Sequence, residues 1–146
     1  KAISFELKSV SRTYLILDEY GLILGYFSLS FKDVTLDTEK ISNTKIKNLD
    51  GFSKRATLLK AYLIGQIGKN NLIANNPICL NSILNEIYSV IIQAQSLVGG
   101  RVIILECENN DKLISLYEDH GYTILDVVDD SDLKTMYIAI SNIQSD

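Results

Sequence analysis

One stretch constrains the fold more than any other: an apolar run, a long amphipathic helix and a second apolar run in succession. Thr57 to Ile67 carries Leu58, Leu59, Ala61, Tyr62, Leu63 and Ile64, which suits a strand buried on both faces. Asn70 to Asn76 is a polar loop. Asn76-Pro77 reads as a helix start, with asparagine at the N-cap and proline at the first helical position. Leu80, Ile83, Leu84, Ile87, Ile91, Ala94 and Val98 follow at three- and four-residue spacing, and Gly99-Gly100 closes the helix. Val102 to Cys107 is a short apolar strand. A strand, a long helix and a strand form a crossover unit, so the two strands are expected to be parallel neighbours.

The flanks add antiparallel pieces. Thr13 to Leu17 and Leu22 to Phe31 read as a hairpin across Asp18-Glu19-Tyr20-Gly21. Phe27, Leu29 and Phe31 share one face of the second strand, and Tyr26, Ser28 and Ser30 the other. Lys1 to Lys8 alternates Ile3, Phe5 and Leu7, which fits a strand and equally the frayed end of a helix. Lys32 to Lys54 is polar and reads as a long surface excursion. Asn110 or Asn109 caps a second helix with Leu113, Leu116 and Tyr117 on its buried stripe, and Gly121 stops it. Tyr122 to Val128 and Thr135 to Ile140 are the last strands, joined across Asp129-Asp130-Ser131-Asp132. The order predicts a single mixed α/β domain over 1–146.

Composition narrows the function. With 146 residues, 47% hydrophobic and 22% charged, the chain is neither a disordered tail nor a fibre. Lys and Arg number 14 against 18 Asp and Glu, a net charge of -4, which argues against a primary nucleic-acid binder. Cys79 and Cys107 lie far apart and His120 is the single histidine, so no structural metal site is expected. Two cysteines fit a reducing, cytoplasmic setting with both thiols free, the alternative being one disulfide. The apolar stretch Tyr14 to Phe31 is broken by Asp18, Glu19, Gly21 and Gly25, so no membrane span is expected. The chain starts at Lys1 rather than methionine, which suggests that an N-terminal part of its domain precedes it.

The most specific motif is Cys107-Glu-Asn-Asn-Asp-Lys-Leu-Ile-Ser-Leu-Tyr-Glu-Asp-His-Gly-Tyr122. A strand is followed by Asn110, seven residues later by Tyr117, then by Gly121 and an aromatic. This spacing, with the preceding hairpin, central strand and long helix, resembles the GCN5-related N-acetyltransferases (GNAT superfamily) over Arg12 to Ile140. The resemblance implies a mixed, mostly antiparallel sheet with helices on both faces and two central parallel strands that splay apart. Acetyl-CoA is then expected in the wedge as co-substrate, with no metal. It also turns Lys1 to Ser9 into the tail of a preceding helix.

The same resemblance assigns roles. Ile67, Gly68 and Lys69 would offer backbone groups to the pantetheine arm. Pro77, Ile78, Cys79, Leu80 and Asn81, at the helix N-terminus, would offer N–H groups to the pyrophosphate. Asn110 would bond the pantetheine arm besides capping its helix. Tyr117 is the candidate general acid for the leaving thiolate, against a plain reading as a core tyrosine. Glu106 shares a strand face with Val102 and Ile104, and is either a carboxylate for the acceptor amine or a strand end reaching water. Tyr26, Ser28, Tyr62 and Gln66 line an acceptor pocket or simply pack the sheet.

One departure stands out. The family's phosphate loop reads Gln/Arg-x-x-Gly-x-Gly/Ala, but residues 70–84 hold no glycine, and Leu80 falls nearest its last glycine position. Asn70, Asn71, Asn75 and Asn76 are the residues best able to replace it, since asparagine tolerates positive φ. The expected function is transfer of an acetyl group to a primary amine of a small molecule or peptide by direct attack. The alternative is a GNAT-fold ligand- or protein-binding module that no longer catalyses. An acetyltransferase toxin acting on aminoacyl-tRNA is a third reading, opposed by the acidic balance. Nucleic acid and membrane are therefore not expected as partners, and a homodimer is left open.

Overall fold

The computed structural model describes residue 8 and residues 10–143. The alternating run at Lys1 to Lys8 lies outside them except for Lys8. Strands β1 (Arg12–Leu17) and β2 (Ile23–Thr35) form the expected hairpin. Its turn is held by the Asp18 carboxylate, which accepts from the N–H groups of Tyr20 and Leu22 at 2.9 Å each, while Gly21 takes φ 84°. The order continues with helix α1 (Asn43–Asp50), β3 (Leu58–Lys69), α2 (Leu80–Val98), β4 (Val102–Cys107), α3 (Asp111–Glu118), β5 (Thr123–Ile124) and β6 (Lys134–Ala139). They make one six-stranded sheet in the order β1-β2-β3-β4-β6-β5. β3 and β4 are parallel, as a helical crossover requires, and the other pairs are antiparallel.

Each face of the sheet carries its own core. On one, α2 and α3 pack Ile83, Leu84, Ile87, Ile91 and Ile114 against Phe27, Ile64, Ile103, Leu105, Met136 and Ile138. On the other, α1 packs Ile46 and Leu49 with Ile41, Leu59, Ala61, Val102, Ile104 and Leu125. The surface excursion expected over Lys32 to Lys54 is therefore corrected. β2 runs on to Thr35, Leu36 bridges to Val127, and α1 is a capped helix. Ser42 Oγ accepts from Lys45 N–H and Gly51 closes the helix at φ 87°. Few apolar side chains suffice because each one drawn inward is almost fully buried.

Three further boundaries differ. Helix α2 begins at Leu80 with Cys79 as N-cap, not at Asn76-Pro77. Asn76 is occupied elsewhere: its Nδ2 donates to Leu24 O at 2.8 Å and Asn70 O at 3.1 Å, and its Oδ1 accepts from Ile78 N–H. On α3, Asn110 Oδ1 caps Lys112 and Leu113 N–H as expected, but Ile114 is the buried residue and Leu116 is exposed. The strand expected over Tyr122 to Val128 shortens to β5, because Val127 leaves the β6 register to meet Leu36.

Candidate active site

The parallel strands meet over three residue pairs: Tyr62 with Ile103, Leu63 with Ile104 and Ile64 with Leu105. β3 then continues to Lys69 and β4 to Cys107 without pairing. A bulge marks the parting, since Ser28 opposes Gln66 and Leu29 opposes Ile64, leaving Gly65 as the extra residue. A Cβ at Gly65 would lie 2.9 Å from Ser28 Oγ, so glycine allows this approach. The bulge turns Ile67 onto the same face as Ile64 and Tyr62. From Gln66 to Lys69, β3 has β2 on one side, and its other edge faces the gap toward β4. Alternate N–H and C=O groups of an antiparallel strand point to that edge.

This edge is held firmly. Gly68 faces Tyr26 across the ladder, and a Cβ there would stand 2.1 Å from the Tyr26 ring. The loop after β3 is tied back by Asn70, whose Nδ2 donates to Ile23 O and whose Oδ1 accepts from Leu72 N–H. Asn75 takes φ 56°, the one positive φ at a non-glycine among the described residues. The backbone conformation usually left to glycine is thus reached by asparagine in this glycine-free loop. Ile78 is buried in the core and Leu80 half-buried, while Pro77, Cys79 and Asn81 are exposed at the start of α2.

Tyr117 and Glu106 approach the gap region from opposite faces. Tyr117 is half-buried on the α2–α3 side, edge-on to Tyr122 with ring centroids 6.0 Å apart. Burial pushes its phenol above the ordinary value, and neighbouring Cys107 adds to this. The ring thus keeps its proton over the neutral range. Tyr122 is buried more deeply, accepts from Tyr88 OH at 2.9 Å and is also shifted upward, chiefly by burial. Asn110 is exposed, with its Oδ1 engaged in the cap.

Glu106 shares the alternation of Val102 and Ile104, which belong to the α1-side core. It is ion-paired with Lys32 on β2. Lys32 lies in the segment read as a surface excursion, 74 residues from Glu106, where the sequence marks no candidate. The available signal was its position one residue beyond the expected strand Leu22 to Phe31. Beside it is a cleft of about 150 Å³ lined by Lys32, Val34, Val127, Asp129 and Thr135. Of the remaining candidates, Ser28 is buried against Gly65, Gln66 lies within the bulge, and Tyr62 donates to Gly99 O at the far end of β3. His120 Nδ1 contacts Leu116 O at 2.8 Å, which fixes the ring at the helix end.

The two thiols differ. Cys107 is buried and its pKa is raised by burial. Cys79 is exposed at the α2 N-cap and its pKa is lowered, first by the Ser82 hydroxyl at 3.2 Å and then by the Ser82 backbone N–H. No helix among the described residues is long and apolar enough to cross a membrane.

A bulged strand that parts from a parallel neighbour, followed by a helix start, is the arrangement implied by the resemblance to the GCN5-related N-acetyltransferase fold. Solved structures agree. AtaT complexed with acetyl-methionyl-tRNAfMet aligns at TM-score 0.71 and 14% identity, covering 98% of this chain and 79% of that one. A tyrosine-to-phenylalanine AtaT mutant toxin, bound to the C-terminus of the antitoxin AtaR and acetyl-CoA, gives 0.64 and 14%, covering 97% and 76%. A KacTA–DNA complex gives 0.62 and 16%, covering 98% and 82%. No protein-family model and no curated protein matches the sequence.

These neighbours correct the partners expected above. The expectation of a small-molecule or peptide amine and the exclusion of nucleic acid give way to a fold whose solved examples include complexes with tRNA, antitoxin and DNA. The physical reason is that net charge is an average. Acidic side chains crowd residues 106–132, whereas Lys47, Lys54, Arg55 and Lys60 stand exposed on and after α1. An acidic total does not exclude exposed basic side chains that lie close together in the sequence.

Proposed function

We propose that the chain is an acetyl-CoA-dependent N-acetyltransferase whose acceptor amine is carried on an aminoacyl-tRNA. The observation that carries this is the parting of β3 and β4 beyond Ile64 and Leu105, with a free β3 edge beside the gap. The acceptor class follows AtaT, solved with acetyl-methionyl-tRNAfMet, and is consistent with the exposed Lys47, Lys54, Arg55 and Lys60.

In this reading the pantetheine arm pairs with Ile67, Gly68 and Lys69 as an added strand. The pyrophosphate lies at the α2 start, against the backbone of Pro77, Ile78, Cys79, Leu80 and Asn81. Asn110 uses its amide nitrogen toward the same arm. The acceptor ammonium is drawn to Glu106 from the α1 side and gives up a proton there. Its nitrogen then attacks the thioester carbonyl carbon, and N–H groups on the β3 edge near Ile67 hold the developing oxyanion. As the C–S bond breaks, Tyr117 protonates the thiolate.

Titration calorimetry with acetyl-CoA, followed by transfer assays on charged tRNA with free amino acid as control, tests this. Binding, and transfer to the charged tRNA alone, is the expected result. No binding at millimolar coenzyme overturns the reading. Binding without transfer to any charged tRNA selects the non-catalytic module instead.

A further inference from the structure

Glu106, the carboxylate assigned to receive the acceptor amine, already holds one. Its partner is the ε-ammonium of Lys32, a primary amine of the same chain. We propose that Lys32 is an internal acceptor, acetylated on Nζ by the enzyme's own acetyl-CoA; this rests on the function proposed above.

The placement of the pair carries it. Lys32 is on β2 opposite Ala61, two strands away from β4, so its side chain must cross the β3 face to reach a residue at the end of β4. That end is where the parallel strands have separated. The Lys32 side chain is 36% exposed and the Glu106 side chain 18%, so the amine is neither sealed in the core nor free in bulk water. Of the other described lysines, Lys45 lies over the Tyr137 ring, Lys40 pairs with Asp37, and Lys60 is exposed at the far end of β3. The cleft of about 150 Å³ beside Lys32 leaves room for an acetyl group once the pair separates.

The step balances. Lys32 passes one ammonium proton to Glu106, and the Nζ lone pair attacks the thioester carbon. An N–C bond forms, and the C–S bond breaks with its electron pair on sulfur, which takes the Tyr117 proton. The nitrogen loses a second proton to water, and Glu106 returns its proton to the Tyr117 phenolate through solvent. The net products are an amide, a thiol and one proton. The neutral amide no longer pairs with Glu106, which leaves the carboxylate open to an external ammonium. Modification therefore primes the acceptor site.

The test is to incubate the purified chain with acetyl-CoA, map acetyl groups by peptide mass spectrometry, and measure coenzyme binding on the same sample. One acetyl group on Lys32 is expected, at a rate independent of protein concentration. Tyr117→Phe should slow it about a hundredfold while coenzyme still binds. Lys32→Arg, which keeps the charge, should remove the signal. If coenzyme binds but Lys32 is unmodified, or modified no faster than Lys60, this inference falls and the proposed function stands. If coenzyme does not bind, both fall.

Discussion

The two faces of the sheet solve the same problem with different material. The α2–α3 face is packed by a nineteen-residue helix that buries Ile83, Leu84, Ile87 and Ile91 in one stripe. The α1 face relies on an eight-residue helix that buries Ile46 and Leu49, and beside it run an ion pair and a polar cleft. The first face is a stiff apolar wall, suited to hold the phenol of Tyr117 at a fixed place. The second has charge and open space near the strand gap, suited to admit a cationic group. In the proposed mechanism the first side would fix the acid and the second would receive the amine, a separation that can be broken by experiment.

The largest effect should come from the stiff side. Tyr117→Phe keeps the ring that meets Tyr122 edge-on and removes the proton donor. Acetyl transfer should fall about 10² to 10⁴-fold, with coenzyme affinity and melting temperature nearly unchanged. Steady-state kinetics beside calorimetry reads both. Because burial raises the Tyr117 pKa, wild-type activity should also persist to alkaline pH, above the ordinary phenol value of about 10. A fall well below that value would show that another group supplies the proton.

Packing gives the next contrast. Ile87→Ala empties a fully buried position under α2 and should cost about 4 kcal/mol; Leu49→Ala, on the short helix, should cost nearer 2 kcal/mol because α1 can settle inward. Urea denaturation of both variants measures the difference. Equal losses would mean that the two cores are equally rigid.

The same contrast explains what could be read from the chain. Leu80, Ile83, Leu84, Ile87 and Ile91 repeat often enough to define a period, so α2 and the parallel pair it connects were legible. Ile46 and Leu49 are only two positions in a helix of eight, too few to stand out against a polar background. Asn76 has the chemistry of an N-cap, but its amide bonds Leu24, 52 residues away, which no local pattern reveals. Ile114 and Leu116 are both apolar, and which one turns inward is set by how α3 sits on the sheet. Asn110 and Tyr117 stand out as candidates through a motif rather than through periodicity. The Lys32–Glu106 contact, made across the sheet, had no counterpart in local sequence.

A smaller effect sharpens the picture of the apolar wall. Tyr88 donates to Tyr122, and burial raises the pKa of both phenols. A phenol whose folded pKa is raised contributes stability that is fully present below its unfolded value of about 10 and is lost as pH rises through the folded value. Stability should therefore be flat through neutral pH and fall in the alkaline range. Tyr122→Phe should cost about 1 kcal/mol at neutral pH and flatten that fall. Thermal melts across pH would show it, and an unaltered alkaline slope would mean that other phenols carry the effect.

The smallest effect belongs to the α1 side. The Lys32–Glu106 pair is partly open to water, and its Coulomb gain is offset by desolvation and by ordering two flexible side chains. Lys32→Gln should change stability by no more than about 1 kcal/mol and, near neutral pH, by less as salt rises. Denaturation at low and high salt measures this directly. A loss of several kcal/mol would make the pair a structural strut and erase the distinction between a wall that holds and a side that receives. A small loss leaves the pair weak enough to be opened by an incoming ammonium, which is the property an acceptor side requires.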